Sequence, residues 1–184
     1  MPTRPTLVVV SGPPATGKTT LAHILAHELG CPAIIRDEIK QGMVINVPDH
    51  QANGDDTLNI PTMAAFFRTI TVLLEAGVTL VAEAAFQDRL WRPGLEPLMN
   101  IADLRIVRCT TAAPTIVERI TERARTDSHR TAHGDHALLA DIATGTYSPD
   151  HFVPISLDAP TLLVDTSDGY QPSTKEITAF IQTA

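Results

Sequence analysis

Short apolar runs alternate along the chain with longer segments of helical periodicity. The apolar runs are rich in branched side chains and cover residues 7–10, 33–35, 78–82, 104–107 and 161–164. Apolar side chains recur every three or four residues in the segments 19–29, 63–74 and 114–125. Continuous apolar strands that alternate with helices are typical of a parallel sheet covered on both faces. The pattern therefore predicts an α/β domain with three layers, α/β/α.

Several element boundaries are marked by residues that favour helix ends. Gly30 and Gly77 follow helical segments as C-caps, and Ser173 with Glu176 forms a capping box that predicts a last helix. Two stretches, 48–61 and 126–160, show no clear period apart from a short helical pattern at 136–142. Irregular segments of this length in a compact domain are usually lids or substrate covers.

Length and composition narrow the class of protein. The chain has 184 residues, of which 43% are hydrophobic, and no internal repeat, so we expect one compact domain over residues 1–184. The net charge of −7 disfavours a non-specific nucleic-acid binder.

No apolar stretch approaches the eighteen residues of a membrane span or resembles a signal peptide, so a cytoplasmic protein is expected. Cys31 and Cys109 are expected to be buried free thiols rather than a disulfide.

A phosphate-binding loop follows the first predicted strand. Residues 12–19 match the G-x-x-x-x-G-K-T pattern, in a strand–loop–helix context. Such a loop wraps backbone N–H groups around phosphate oxygens, while the next helix directs its positive N-terminal end at the same charge. Lys18 is expected to reach the β- and γ-phosphates of ATP, and the Thr19 hydroxyl to bind Mg²⁺. The predicted nucleotide-binding residues here are Gly12, Pro13, Pro14, Ala15, Thr16, Gly17, Lys18, Thr19 and Thr20.

Other motifs that would define a different class of P-loop protein are missing from the sequence. There is no N/T-K-x-D guanine-binding string and no L-S-G-G-Q transporter signature, and the chain is too short for the helical lid domain of a ring-forming ATPase. A small kinase or a stand-alone ATPase remains.

Three carboxylates follow predicted strands, at the sheet edge where ligands of open α/β folds bind. Asp37 is predicted to orient an acceptor hydroxyl or to take its proton, although it could also cap the helix that begins there. Glu83 occupies the position of a carboxylate that holds Mg²⁺, with a solvated strand end as the alternative. Asp165 could instead form a turn near the nucleotide base.

Six arginines lie between residues 105 and 130, while lysine occurs only at 18, 40 and 175. Arg119 and Arg123 are four residues apart on a predicted helix and share one face, where a guanidinium could bind phosphoryl oxygens or stack on a base. The alternative is a solvated face with Glu118 and Glu122 as partners. Arg89 and Arg92 could contact the substrate or face solvent, and the roles of Arg125 and Arg130 are left open.

The histidines do not form a convincing metal site. His129, His133 and His136 have helix-compatible spacing, but no carboxylate or cysteine at ligand spacing completes a zinc site. His23 and His27 lie opposite the apolar face of their helix and are expected to face solvent.

Taken together, these motifs resemble the small AAA-type P-loop kinases that include chloramphenicol phosphotransferase, zeta toxins and the kinase domain of polynucleotide kinase. The resemblance rests on residues 12–20, on 36–39, on 78–83 with Arg89 and Arg92, on 118–123 and on 162–166. It implies a five-stranded parallel sheet in the order 2-3-1-4-5 and transfer of the ATP γ-phosphate to a hydroxyl.

The same resemblance implies roles for individual residues. Asp37 would act as base or hydroxyl orienter, and Arg119 and Arg123 would begin a small lid at about residues 119–146 and contact adenine and phosphates. Thr166 would contribute to the nucleotide site. Two departures are a glutamate, Glu83, where many relatives have aspartate, and the missing D-G-F-P-R string of nucleoside monophosphate kinases. The second departure makes a nucleotide acceptor less expected.

The sequence thus predicts an ATP- and Mg²⁺-dependent kinase with Lys18, Asp37 and Arg123 as catalytic residues and Thr19 and Glu83 as metal ligands. The acceptor would be a small molecule with a hydroxyl group, such as an antibiotic or a metabolite. The alternatives are a nucleotide switch that hydrolyses ATP slowly, and a kinase that acts on a nucleoside or on the 5′-hydroxyl of a polynucleotide. Neither a membrane nor a nucleic-acid partner is expected, and the oligomeric state is left open.

Overall fold

Parallel β-strands form the centre of the molecule. The computed structural model describes residues 4–47, 56–126, 135–147 and 152–183, and within these ranges five strands form one sheet. The strands are β1 (Thr6–Ser11), β2 (Ala33–Ile35), β3 (Leu80–Glu83), β4 (Asp103–Thr110) and β5 (Thr161–Asp165). All four neighbouring pairs are parallel and the order is β2-β3-β1-β4-β5, which confirms the predicted topology.

Helices connect the strands and cover both faces of the sheet. They are α1 (Lys18–Leu29), α2 (Arg36–Val44), α3 (Asn59–Glu75), α4 (Asp88–Leu95), α5 (Ala113–Thr126), α6 (Asp135–Ala143) and α7 (Thr174–Gln182), with a 3₁₀ turn at Glu96–Asn100. The predicted capping box of α7 is present, and Gly30 ends α1 with a φ of 69°. The three-layer α/β/α arrangement is therefore confirmed.

The predicted irregular segment 48–61 extends too far, because its last three residues belong to a helix. Helix α3 begins at Asn59, and a turn in which Asp56 accepts a hydrogen bond from the Leu58 amide precedes it. Pro61 lies in the first helical turn, where no intrahelical partner is needed for a backbone N–H. A buried ion pair of 2.5 Å between Lys40 and Asp56 holds α2 against this turn.

Alternate residues of β1 enter two separate hydrophobic clusters. Leu7 and Val9 face the side covered by α3 and α4, where four aromatic rings pack together: Phe66, Phe67, Phe86 and Trp91. Val8 and Val10 face the side covered by α1 and α7. This alternation is what a strand buried on both faces requires.

A third, smaller cluster joins the arginine-rich region to the phosphate loop. Ile116 and Ile120 of α5 are buried as predicted, and they pack with Ala15 and with side chains of α6 such as Leu139. Helices α5 and α6 therefore dock directly onto the loop that follows β1.

The strand register brings four chain segments to one edge of the sheet. Val10 pairs with Glu83, and Glu83 also pairs with Ile35, so the loop after β1, the end of β3 and the start of α2 are adjacent. On the other side of β1, Thr110 pairs with Asp165, which places the segment after β5 at the same edge. No described helix is both long and apolar enough to cross a membrane.

Candidate nucleotide-binding site

The loop between β1 and α1 has a backbone that depends on glycine. Gly12 has a φ of 138°, and a Cβ atom placed on it would overlap the carbonyl oxygen of Cys109 on β4. Gly17 has a φ of 74°, and Ala15 is a non-glycine residue with a φ of 60°. These positive φ values turn the chain tightly enough to form a concave surface of backbone N–H groups.

Hydrogen bonds inside the loop fix its shape and place its lysine. The Thr16 hydroxyl donates to the carbonyl of Pro13 at 2.8 Å, and Lys18 Nζ donates to the same oxygen at 2.9 Å. Helix α1 begins at Lys18, so its unpaired N–H groups and positive dipole end point into the loop. The combination suits an anion of the size of a polyphosphate.

Glu83 and Thr19 form the part of the site that suits a divalent cation. The Thr19 hydroxyl donates to Glu83 Oε2 at 2.9 Å, and Glu83 is only 3% exposed. Burial raises the pKa of Glu83; Lys18 partly opposes this shift, and the nearby carboxylate of Asp37 adds to it. The alternative of a solvated strand end is wrong, because β1 and β2 flank Glu83 on both sides. A buried carboxylate beside a hydroxyl offers the hard oxygen ligands that Mg²⁺ prefers.

Asp37 lies in the first turn of α2 and does not cap it. The helix begins one residue earlier, at Arg36, with the backbone of Ile35 as its N-cap, so the capping alternative is wrong. Arg36 Nη1 donates to Asp37 Oδ1 at 2.8 Å, and Arg36 Nη2 donates to Asn59 Oδ1 at 2.7 Å. Arg36 thus links Asp37 to the start of α3, and the pairing of Ile35 with Glu83 places the first turn of α2 beside the end of β3.

Arg119 lies against the outside of the phosphate loop. Its Nη1 donates to the carbonyl of Ala15 and to the Thr166 hydroxyl, both at 3.2 Å, and its Nη2 donates to the carbonyl of Thr166 at 2.5 Å. The alternative of a solvated arginine paired with Glu118 is therefore wrong for Arg119. Arg123, one helical turn further along α5, is half-buried. Its side chain and that of Glu122 line the cavity described in the next paragraph.

A cavity of about 500 Å³ lies between these elements. It is lined by Ala15, Gly17, Lys18, Thr19, Thr20, Arg119, Glu122, Arg123, Thr166, Gly169 and Tyr170. Eight of these were predicted to bind the nucleotide. Gly12, Pro13, Pro14 and Thr16 lie in the same loop without lining the cavity. The other three, Glu122, Gly169 and Tyr170, were not predicted to bind it. Glu122 was considered only as a partner of the arginines, and the only signal for Gly169 and Tyr170 is that they follow the Asp165–Ser167 turn after β5.

The remaining candidates whose side chains the structure describes do not line this cavity. Arg92 donates to Ser156 and is exposed, as is Arg89. Exposed His23 pairs with Glu38 as expected of a solvent-facing residue, and Asp165 accepts a turn hydrogen bond from the Ser167 amide. Both cysteines are free. The side chains of Arg125, His129, Arg130, His133 and His136 lie outside the described residues.

No group of three or more potential metal-ligating His, Cys, Asp or Glu side chains occurs in the part of the chain that the structure describes. Any Mg²⁺ bound at Glu83 and Thr19 would therefore take most of its ligands from phosphate oxygens and water, as this ion commonly does in nucleotide sites.

Comparison with solved structures supports this fold. A "putative kinase" from Chloroflexus aurantiacus superposes with a TM-score of 0.81 over 98% of both chains at 24% identity. A gluconokinase from Sinorhizobium meliloti gives a TM-score of 0.59 at 18% identity, over 97% of this chain and 92% of that one. An APS kinase from Mycobacterium tuberculosis, in complex with AMPPNP and APS, gives 0.62 at 16% identity, over 99% of this chain and all of the other.

The fold, the phosphate loop and the Thr19–Glu83 pair define a P-loop nucleotide-binding protein. A family model described as an AAA domain matches residues 7–144, three quarters of the chain, and the protein belongs to that family. The resemblance to small AAA-type P-loop kinases is thereby confirmed. A search of curated proteins gives no significant match.

Proposed function

We propose that the protein transfers the γ-phosphate of ATP to a hydroxyl group of a small molecule. The observation that supports this best is the position of Asp37, a carboxylate that does not line the nucleotide cavity and lies two residues after Ile35, which pairs with Glu83 in the sheet. Binding a nucleotide and a metal ion accounts for Lys18, Thr19 and Glu83. A further carboxylate beside them is what an acceptor hydroxyl requires.

The proposed binding of ATP uses the loop and the cavity. The backbone N–H groups of residues 12–20 and the N-terminus of α1 would surround the phosphates, with Lys18 moving from the Pro13 carbonyl to the β- and γ-phosphates. Thr19 and Glu83 would hold Mg²⁺, which when bound neutralises charge on the phosphate oxygens. Arg123 would stabilise the charge of the transferred group. The described parts of the predicted lid at 119–146, which belong mostly to α5 and α6, would lie over it, while residues 127–134 lie outside the described residues.

In the proposed transfer step, the acceptor oxygen forms a bond to the γ-phosphorus as the bond between that phosphorus and the β–γ bridging oxygen breaks. Asp37 orients the hydroxyl and accepts its proton, and ADP leaves with the negative charge on its β-phosphate. Because Arg36 donates to Asp37 at 2.8 Å, the orientation of this carboxylate is fixed before the acceptor binds. Positioning and charge neutralisation supply most of the rate enhancement in this chemistry.

Small hydroxyl compounds are the first acceptors to test. Proteins of the same fold include a sugar kinase, a gluconokinase and an APS kinase, so the architecture accommodates varied small acceptors. The net charge of −7 disfavours a polynucleotide acceptor. Sugars, sugar acids, nucleosides and hydroxylated antibiotics form a suitable panel.

The test is a screen of this panel for ADP release above the rate in water, with Mg²⁺ present. An acceptor should raise the rate in the wild type but not in Asp37→Asn, because the amide cannot take the proton. Glu38→Gln is the matched control, since Glu38 is the next residue on α2 and its exposed carboxylate pairs with His23. Equal acceptor-dependent rates in wild type and Asp37→Asn would remove Asp37 from the mechanism.

A further inference from the structure

Two side chains distant in sequence bind consecutive carbonyl groups of the phosphate loop. Arg119 Nη1 donates to the carbonyl of Ala15 at 3.2 Å, and the Thr166 hydroxyl donates to the carbonyl of Thr16 at 2.9 Å. Arg119 also donates to the Thr166 hydroxyl and to the Thr166 carbonyl. The two side chains therefore form a connected group that contacts the loop from the side of α5 and β5.

Thr166 is itself fixed to the end of the sheet. Its backbone N–H donates to the carbonyl of Thr110 at 2.9 Å, which continues the pairing of β4 with β5 by one residue. Thr166 is 3% exposed, so its hydroxyl has little access to a ligand and is surrounded by protein groups. A buried hydroxyl with one proton and several carbonyl neighbours serves to connect backbone segments.

The planarity of the peptide bond gives these contacts a consequence for phosphate binding. In a trans peptide the C=O of one residue and the N–H of the next point in opposite directions. Fixing the carbonyls of Ala15 and Thr16 on the outside therefore directs the N–H groups of Thr16 and Gly17 towards the inside of the loop. Ala15 has a φ of 60°, a left-handed conformation that is unfavourable for a non-glycine residue and needs support from its surroundings.

We propose that Arg119 and Thr166 are positioning residues that hold the N–H groups of the phosphate loop in their binding orientation, and that Arg119 acts in this way rather than by contact with adenine. The inference rests on the nucleotide binding contained in the proposed function. In this role Arg119 contacts the phosphate loop and not the adenine base. Polyphosphate affinity then depends on these two residues through their hydrogen bonds to carbonyl groups of the loop.

Binding of tripolyphosphate, which has no base, separates the two roles. Titration calorimetry with tripolyphosphate and with ATP would compare wild type with Thr166→Val, Thr166→Ser and Arg119→Ala. Thr166→Val keeps the shape of the side chain and removes the hydroxyl, while Thr166→Ser restores it. Thr161→Val is the matched control, because Thr161 lies on β5, the strand that precedes Thr166, and among the described residues its hydroxyl bonds only to the nearby carbonyl of Ala159.

We expect Thr166→Val and Arg119→Ala to lower the affinities for tripolyphosphate and for ATP by the same factor, about tenfold. Thr166→Ser and Thr161→Val should bind both ligands with affinities close to those of the wild type. If Thr166→Val does not fold, Arg119→Ala decides the question, because the Arg119 side chain is partly exposed. Loss of ATP affinity with unchanged tripolyphosphate affinity in Arg119→Ala would assign Arg119 to the base and overturn the inference. Unchanged binding by folded Thr166→Val would overturn it too.

One outcome concerns the proposed function instead. If the wild type binds neither tripolyphosphate nor ATP, nucleotide binding itself is wrong and the inference falls with it. If the wild type binds both and the variants are unaffected, nucleotide binding stands and only the positioning role is lost.

Discussion

The Thr19 hydroxyl donates a hydrogen bond of 2.9 Å to Glu83, across 64 positions of the sequence. This contact joins the first turn of α1 to the end of β3, which are adjacent because Val10 and Glu83 are paired in the sheet. It also gives a hydrogen-bond partner to the carboxyl group of Glu83, a residue with only 3% of its surface exposed. The proposed metal site therefore follows from strand order and register.

Removal of the Lys18 ammonium should nearly abolish ATP turnover. Lys18 lies in the cavity beside the N-terminus of α1, where no other lysine of the chain lies. We expect Lys18→Ala to lower the rate of ADP formation by at least about 100-fold, since one preorganised charge contact is lost at the transferring group. Lys175→Ala, on the exposed face of α7, is the control and should match wild type in the same assay.

Gly12→Ala should disrupt the phosphate loop, and replacement of another glycine with a positive φ should not have this effect. In Gly12→Ala the new methyl group would overlap the Cys109 carbonyl, so either the loop or β4 must shift. We expect ATP affinity to fall more than tenfold in calorimetric titrations.

Gly30→Ala provides the matched control for Gly12→Ala. Gly30 also has a positive φ, 69°, but nothing lies within 4 Å of an added Cβ. It should cost about 1–2 kcal/mol of stability and leave ATP affinity unchanged. Equal ATP affinities in Gly12→Ala and wild type would show that the close approach to Cys109 does not shape the loop.

The raised pKa of Glu83 predicts a pH-dependent effect of its replacement. Because burial raises this pKa, the native state keeps the proton over a pH range in which the unfolded chain has lost it. The stability from this group is fully present below the unfolded pKa and is lost as pH rises through the native value. Glutamine does not titrate, so the melting temperature of Glu83→Gln minus that of wild type should increase from pH 4 to pH 8 without metal.

Thermal unfolding of both proteins across this range, with chelator present, measures the difference. Glu75→Gln, an exposed residue at the end of α3, is the control. A difference in melting temperature that stays constant with pH would contradict the assignment of a raised pKa to Glu83.

Removal of the hydrogen bond between Arg36 and Asn59 should lower both the stability of the protein and its acceptor-dependent turnover. Asn59→Ala removes the acceptor of the 2.7 Å hydrogen bond and leaves a mostly buried guanidinium less satisfied, at a cost of about 1–3 kcal/mol. With Arg36 less constrained, Asp37 should also be held less firmly and acceptor-dependent turnover should fall, while the KM for ATP stays the same. Urea unfolding and steady-state kinetics measure the two effects.

Asn46→Ala is the control for this change, because Asn46 is exposed and, within the part of the chain that the structure describes, its side-chain amide donates only to the nearby carbonyl of Gly42. It should leave stability and turnover close to wild type. If Asn59→Ala behaves in the same way, the proposed orientation of Asp37 through Arg36 is not supported.

The fold could be predicted because its signals are local. Each strand is a continuous apolar run, and the phosphate loop is a contiguous motif between a strand and a helix, so neither depends on distant contacts. Glu83 could be placed at the site because the carboxyl ends of parallel strands share one edge. Helix α4 was not predicted, because Pro93 and Gly94 interrupt its helical signal and burial of Trp91 stabilises it instead.

The contacts of Arg119 could not be predicted in the same way. Its target, the Ala15 carbonyl, is 104 positions away, and the contact depends on how α5 docks on the loop through Ile116 and Ile120. Periodicity placed Arg119 on one helix face, but a guanidinium on that face could reach a base, a phosphate or a carbonyl. Tyr170 lines the cavity because of the turn that precedes it, and no motif in the sequence predicts the geometry of that turn.

The fate of the γ-phosphate tests the central claim most directly. With an acceptor that stimulates ADP release, ³¹P NMR of the reaction mixture distinguishes a phosphate ester from inorganic phosphate. We predict one equivalent of phosphate ester on the acceptor per ADP formed, with no ester in Lys18→Ala and little in Asp37→Asn. If the phosphorus appears only as inorganic phosphate, at the same rate with and without every hydroxyl compound, the protein hydrolyses ATP and is not a kinase.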